Sequence, residues 1–303
     1  MTRTTHPNLF ATVLTYAAPS SNYRGESEEN RAVLQKITRG GKEYTVISPE
    51  AMRNALREIL TGYGLPMNRR RLHHEDQLAV EFKSFPSAAD YADDFLMGFM
   101  VADSEAIARN KGKPPKRDSL LRMNMAVALQ PYRFDATFHQ SPLHKNSPWK
   151  NASTSALLHR EVTHTAYQYP FALAMADCLR EETKENGKTW TAALLRAVGE
   201  LSNVAGGHAR AYFEMAPRSI VARLTPQLVA GFDTYGFDEH GAFPELSRVK
   251  EGDLPGAELW VGGEITRAMP PFERDRLTRE GAHLFENPQI LLRELTAAAL
   301  GDP

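Results

Sequence analysis

The chain has 303 residues, 42% of them hydrophobic, 24% charged and 9% aromatic, which excludes a mini-protein or a disordered tail and suffices for one sizeable core with an appended lobe. Its 36 Lys and Arg balance 37 Asp and Glu to a formal net charge of -1, so no bulk positive field announces a nucleic acid or an anionic membrane, and any basic surface must be local. One cysteine, Cys178, can make neither an intramolecular disulfide nor a thiolate zinc site, which points to a reducing compartment. Without a long apolar leader, or any run near the ~18 apolar residues of a membrane span, the chain is expected to be cytoplasmic, with no membrane partner.

Leu9 to Tyr16, LFATVLTY, is rich in β-branched and aromatic residues and ends at the turn-prone run Pro19-Ser20-Ser21-Asn22, so it reads as a central strand. RAVLQKIT and EYTVIS flank Gly40-Gly41, where a tight turn needs positive φ, and together they predict a hairpin. Ser48-Pro49-Glu50 then starts a helix: Ser48 caps free N–H groups, Pro49 fits the first helical position, and Glu50 suits the positive end of the dipole. Ala51, Met52, Ala55, Leu56, Ile59 and Leu60 line its apolar face, Arg53, Asn54 and Arg57 share the other, and Gly62 with Pro66 ends it.

Between Gly62 and Asp118 the composition shifts, with an arginine cluster, the strand-like LAVEF, the helix-like AADYADDFLMGFMVA and the basic ARNKGKPPKRD, and the segment reads as an insertion. Residues 121–130 alternate as one strand, residues 132–155 read as a projecting hairpin or loop, and LLHREVTHTAYQY is strand-like again. TWTAALLRAVGELSNV is an amphipathic helix, and AGGHARAYFEMAP and SIVARLT predict two further strands. After Thr234 the chain turns acidic, with helices expected near Thr266 to Arg279 and Pro288 to Ala299. The whole order predicts an α+β fold, a small antiparallel sheet with helices on one face, compatible with a ferredoxin-like or RNA-recognition-like core.

Two positive patches lie inside the balanced total. Residues 53–71 hold Arg53, Arg57, Arg69, Arg70 and Arg71 against only Glu58, and residues 109–122 hold six Lys or Arg against only Asp118. Guanidinium forks match phosphate oxygens, whereas a solvated face or pairing with Glu50 is the bland alternative. Gly206-Gly207-His208 follows a helix and permits close backbone approach to a phosphate, although a helix C-cap explains Gly206 equally well. Gly40-Gly41-Lys42 is no Walker loop, because Glu43 replaces the required Ser or Thr. His159 with His164, and His139 with His144, lie five apart, which on a strand places them on opposite faces, so neither a metal nor another cofactor is expected. Cys178 lies in an apolar run and reads as buried, and no catalytic constellation is visible. Tyr132, Phe134, Phe138, His139 and Trp149 interleave with polar residues, the mixture on which single-stranded bases stack and also the mixture of a packed hairpin.

FATVLTYAAPSSNYRG, the block NRAVLQKI with GGKEYTVISPEAMRNALREIL, HREVTHTAYQYPFAL and GGHARAYFE together resemble the DevR-type backbone subunits of CRISPR Cascade effectors, the CRISPR-associated protein seven family of the RAMP superfamily. The resemblance spans most of residues 9–232. With the acidic C-terminal region, 233–303, left without an assignment beyond an expected packing on a neighbouring subunit, the resemblance implies an RNA-recognition-like antiparallel palm with inserted fingers and thumb: residues 1–61 the first part of the palm, 62–118 the fingers, 119–131 a palm strand, 132–156 the thumb and 157–232 the second part of the palm. It further implies a non-catalytic scaffold that binds CRISPR RNA and oligomerises along it. Its other partners would be the five-type cap, the large and small subunits, and target DNA paired to the guide.

The RNA-binding residues expected on this basis are Asn22, Arg24, Ser48, Arg53, Arg57, Arg69, Arg70, Gly206, Gly207, His208 and Arg210, with Phe134 and Phe138 as a thumb wedge between bases. The aromatic signature of a sequence-reading RNA-recognition domain is missing, and Glu26, Glu28 and Glu29 read as solvated charges, not as a cleaving loop. The alternatives are a superfamily endoribonuclease processing repeat RNA with His139, His144 or His164 as general acid or base, and a small-molecule or metal-binding α+β protein.

Overall fold

The computed structural model describes residues 7–20, 23–28, 31–74, 77–140, 157–180, 184–204 and 214–301. The first apolar run is strand β1 (Asn8–Leu14), in the middle of the main sheet. Its alternate side chains enter two cores, Leu9, Ala11 and Val13 on one face and Leu14 on the other, which is why the run is apolar throughout. After β2 (Ala18–Ser20), strands β3 (Tyr23–Glu28) and β4 (Arg31–Leu34) leave that sheet. The predicted hairpin forms from β5 (Lys36–Arg39) and β6 (Lys42–Ile47), with Gly40 and Gly41 at φ 56° and 73° as a primed turn requires. RAVLQKIT is nevertheless not one strand. It divides at Gln35, because β4 pairs in an outlying sheet.

Helix α1 (Pro49–Gly62) starts as expected, with Ser48 Oγ accepting the Ala51 N–H at 3.2 Å, and it buries Met52, Ala55, Leu56 and Leu60. The next segment comprises hairpin β7 (Arg69–His74) and β8 (Gln77–Phe82), helix α2 (Ala92–Met97), strand β9 (Phe99–Met100), helix α3 (Ser104–Arg109) and strand β10 (Lys116–Arg117), which pairs with β9. Of the long helix-like run only six residues are helical. Gly98, at φ 65°, turns the chain into β9, and a Cβ there would collide with the backbone of Arg117 and Ser119.

The strand expected over 121–130 is two, β11 (Arg122–Met123) and β12 (Ala126–Ala128), both paired with a later strand, β16 (Tyr167–Ala174). Between them Asn124 Oδ1 accepts the Met125 N–H at 2.8 Å, a local bond that competes with the ladder. LLHREVTHTAYQY likewise gives three strands, β14 (Leu157–Glu161), β15 (Thr163–Thr165) and the start of β16. Strand β13 (Ala136–Gln140) pairs with β14, and the outlying sheet runs β13-β14-β4-β3. Residues 141–156, most of the expected thumb, lie outside the described residues.

Helix α4 (Met175–Cys178) buries Cys178 as expected, and burial raises its thiol to about 11. Helix α5 (Lys184–Gly199), strand β17 (Ser219–Thr225), helix α6 (Ser247–Lys250), strand β18 (Leu259–Gly263), helices α7 (Glu264–Arg267) and α8 (Pro271–Arg279), strand β19 (His283–Phe285) and helix α9 (Pro288–Leu300) complete the chain. Pro270 and Pro271 divide the helix expected over Thr266 to Arg279. The main sheet runs β19-β18-β17-β1-β16-β12-β6-β5, and every neighbouring pair is antiparallel except β18 with β19.

The fold is thus α+β, with helices α1, α5 and α9 over one face of an antiparallel-rich sheet. The other face is covered as well. Phe232, Phe237, Phe243, Leu246 and Leu277 pack there with Leu14, Val221 and Val261, so residues 233–303 supply the two strands at one edge, β18 and β19, and most of a third layer. Gln168 fastens that layer, donating from Nε2 to Phe237 O and accepting the Phe237 N–H at Oε1, each at 3.1 Å. Among the described residues no helix is long and apolar enough to cross a membrane.

Candidate nucleic-acid interface

Helix α1 and the segment after it enclose a groove of about 480 Å³. Arg53 and Arg57 enter it from successive turns of α1, Arg69 from the start of β7, and Lys116 and Arg117 from β10, against the two acids Glu50 and Asp118. Met100, 71% exposed, stands at its edge.

The arginines are held by few acceptors. Arg53 Nη2 donates to Met97 O at 2.7 Å and Ser119 Oγ at 2.6 Å, and Arg57 Nη1 to Asn54 Oδ1 at 3.0 Å. Arg69 lies over the Phe82 ring, 5.0 Å from its centroid. The Nε of Arg53, of Arg57 and of Arg69 is buried and meets no hydrogen-bond acceptor among the described residues. Burial lowers Arg57 to about 10, with Arg69 the next cause, and burial lowers Arg53 too, against the opposing pull of Glu50. Clustered guanidinium groups repel one another, and an anion in the groove would relieve that repulsion.

Arg57 was expected on the exposed face of α1, but it is 9% exposed, with Arg69 of β7 and Asp93 of α2 beside its side chain. Arg53, Arg57 and Arg69 come together, and Lys116 and Arg117 of the second basic patch join them. Arg70 does not: as the neighbour of Arg69 on a strand it takes the opposite face, where it pairs with Glu81. Ser48 is occupied as the cap of α1. Arg24 lies on β3 in the outlying sheet, and Asn22, Gly206, Gly207, His208 and Arg210 lie outside the described residues. Ser202 and Glu214 are joined by an antiparallel bridge. Phe134 and Phe138 are 63% and 56% exposed, and Phe138 meets His159 edge to face at 5.3 Å.

Sequence reasoning missed the acids behind the groove. Asp93 and Asp94, each 1% exposed, hold the root of β7 through Asn68. Two adjacent aspartates inside an apolar run were the available signal, because unpaired charges are not buried at random.

No protein-family model matches the chain. It is 31% identical over 290 residues to a curated protein of Myxococcus xanthus (strain DK1622), "CRISPR-associated protein Cas7/Cst2/DevR", with 91% of this chain and 93% of that protein covered. Two solved structures share the fold. One, titled "CRISPR RNA-guided surveillance complex, pre-nicking", has a TM-score of 0.65 at 12% identity and covers 96% of this chain and 100% of that one. The other, "CRISPR RNA-guided surveillance complex", has a TM-score of 0.52 at 13% identity and covers 96% of this chain and 99% of that one.

Proposed function

Because the chain belongs to the Cas7/Cst2/DevR family of CRISPR-associated proteins, we propose that it is the guide-RNA-binding backbone subunit of a type I Cascade effector. The observation that carries this reading is the groove between α1 and β7, where a chain of net charge -1 gathers the buried Arg57 and the half-buried Arg53 and Arg69 with few acceptors of their own. Phosphate contacts fix register without reading sequence, which is what a guide needs when base pairing does the reading. The subunit serves as a scaffold, with no chemical step of its own.

The palm is the unit β1-α1-β12-β16-α5-β17. Its strands stand in the order β17-β1-β16-β12, the fourth, first, third and second of the unit, all antiparallel, as in a ferredoxin-like or RNA-recognition-like domain. With the third layer over the sheet face opposite α1 and α5, the strand runs along the rim, through the groove, and not across the sheet. Residues 62–118 serve as fingers and the region of 132–156 as the thumb, whose Phe134 and Phe138 wedge between bases. Asn22, Arg24 and Gly206, Gly207, His208 and Arg210 add contacts. Copies bind head to tail, so the contacts repeat without closing and RNA length sets their number, with the cap, large and small subunits and the target DNA strand completing the assembly.

Native mass measurement with and without ribonuclease tests this. An RNA-bound oligomer that collapses on digestion is expected, and Arg53→Ala with Arg57→Ala should reduce copurifying RNA and flatten the salt dependence of binding. An RNA-free monomer, or a double variant with unchanged slope, overturns the reading. Cleavage of repeat RNA that is lost on His139→Ala, His144→Ala or His164→Ala would replace it with the endoribonuclease.

A further inference from the structure

Asp93 stands in the first turn of α2, yet its carboxylate serves another element. Oδ1 accepts the Asn68 N–H at 2.8 Å, Oδ2 accepts the Arg69 N–H at 2.8 Å, and Arg57 Nε lies 4.0 Å from the same Oδ2. One buried carboxylate therefore fixes the backbone of one groove arginine and offsets the charge of another on a different element. The surroundings hold it in place: Asn68 Nδ2 donates to Asp94 Oδ2 at 2.8 Å, and the Ser84 N–H donates to Asn68 Oδ1 at 3.0 Å. Asp94 Oδ2 also accepts the Ser87 N–H at 3.0 Å. Without Asp93, only Asp94 would offset the repulsion between Arg57 and Arg69, and β7 would lose the bonds that set its departure from α1.

We propose that Asp93 is a positioning residue for phosphate binding, holding Arg57 and Arg69 at the separation at which both guanidinium groups reach the backbone oxygens of one RNA strand. The inference rests on reading the groove as the RNA site. Simple Coulomb reasoning gives the opposite sign, because deleting a negative charge beside a polyanion should tighten its binding, most of all at low salt. Positioning predicts weaker binding despite the more favourable net charge.

The test uses the full chain and a fluorescent mixed-sequence single-stranded RNA, titrated over a range of salt concentrations, with Asp93→Asn, Arg69→Ala and the double variant. Asp93→Asn is expected to weaken binding about tenfold and to flatten the slope of log affinity against log salt by about 0.7, one phosphate contact of a single strand. In the Arg69→Ala background the same change should cost clearly less than tenfold, about threefold or under, since one of the two groups it positions is already gone. A generalised folding defect would cost the same factor in both backgrounds and leave the slope alone, and that result overturns the proposal, as does unchanged or tighter binding by Asp93→Asn. If Asp93→Asn does not fold, Asp93→Glu, which keeps the charge but displaces the carboxylate, goes through the same cycle with the same criteria. Arg69→Ala without effect overturns the groove reading together with this inference, whereas loss in Arg69→Ala with a neutral Asp93→Asn overturns this inference alone.

Discussion

Arg53 donates from Nη2 to the carbonyl oxygen of Met97 at 2.7 Å, so a side chain of α1 satisfies a backbone acceptor at the end of α2, just before the chain turns at Gly98. The same nitrogen reaches Ser119 Oγ at 2.6 Å, and Ser119 Oγ in turn donates to Leu121 O at 2.6 Å. The guanidinium that borders the groove therefore also ties the end of α2, and the chain just beyond residue 118, to α1.

Arg53→Lys separates these roles. Lysine keeps the charge, but its single nitrogen sits on a shorter stem, so it reaches Met97 and Ser119 less well and leaves no second nitrogen to face the groove. The variant should lose about 1–3 kcal/mol of stability, the worth of hydrogen bonds to a charged group, read as a lower urea midpoint. Limited proteolysis should cut first within residues 62–118. A variant as stable as the parent would show that the contacts to Met97 and Ser119 carry no weight.

Arg69 and Arg70 give a contrast within one dipeptide. Arg69 lines the groove, whereas Arg70 stands on the other face with its side chain 56% exposed, paired with Glu81. Exposed pairs contribute about 0–1 kcal/mol, so Arg70→Ala should leave stability nearly unchanged and RNA affinity within about twofold. Arg69→Ala should weaken RNA retention and lower the salt slope by about 0.7. Equal losses in the two variants would mean that the RNA touches both faces of β7.

That contrast marks how far the sequence was legible. β1, the Gly40-Gly41 hairpin and the Ser48-capped helix were read correctly because their signals are local: apolar character, two positive-φ positions, a cap followed by proline. Which arginines meet was not legible. The cluster lists Arg69 and Arg70 as equals, and strand alternation separates them only once the register is known. The burial of Arg57 depends on α2, whose Asp93 lies 36 residues further along the chain. Strand breaks at Gln35 and Asn124 carry no local signal for a similar reason, since neither has a glycine or proline to announce it. The covering of the second sheet face by residues 233–303 was hidden by their acidic composition, with Phe237, Phe243 and Leu246 spaced irregularly through it.

The exposed aromatics near the outlying sheet should be separable from folding. Phe134 and Phe138 keep more than half their surface in solvent, so Phe134→Ala and Phe138→Ala should each change stability by no more than about 0.5 kcal/mol. If they wedge between guide bases, a guide carrying 2-aminopurine at successive positions should brighten at periodic sites on binding, and the paired substitution should abolish the brightening while most of the affinity remains. Brightening that survives the double variant would assign the unstacking to other residues.

Glu161 joins the outlying sheet to the main one, and its contribution should depend on pH in a defined direction. The residue is 2% exposed and accepts the Leu34 N–H at 3.1 Å and Lys36 Nζ at 3.0 Å, so the end of β14 is held to β4 and β5. Burial alone would raise its carboxyl, but the Leu34 N–H, the Lys36 ammonium and the Tyr132 hydroxyl together hold it below the ordinary glutamate value. In the unfolded chain the group titrates near pH ~4.3. A folded value below the unfolded one means that the unfolded state binds the proton first on acidification; the stabilisation is fully present above about pH 5 and disappears as pH falls through the folded value. Glu161→Gln, which keeps the size but not the charge, should therefore be less stable than the parent by about 1–3 kcal/mol at pH 7. The gap in urea midpoints between the two proteins should narrow progressively below pH ~4. A gap that stays constant down to pH 3 would show that the carboxylate is not what joins the two sheets.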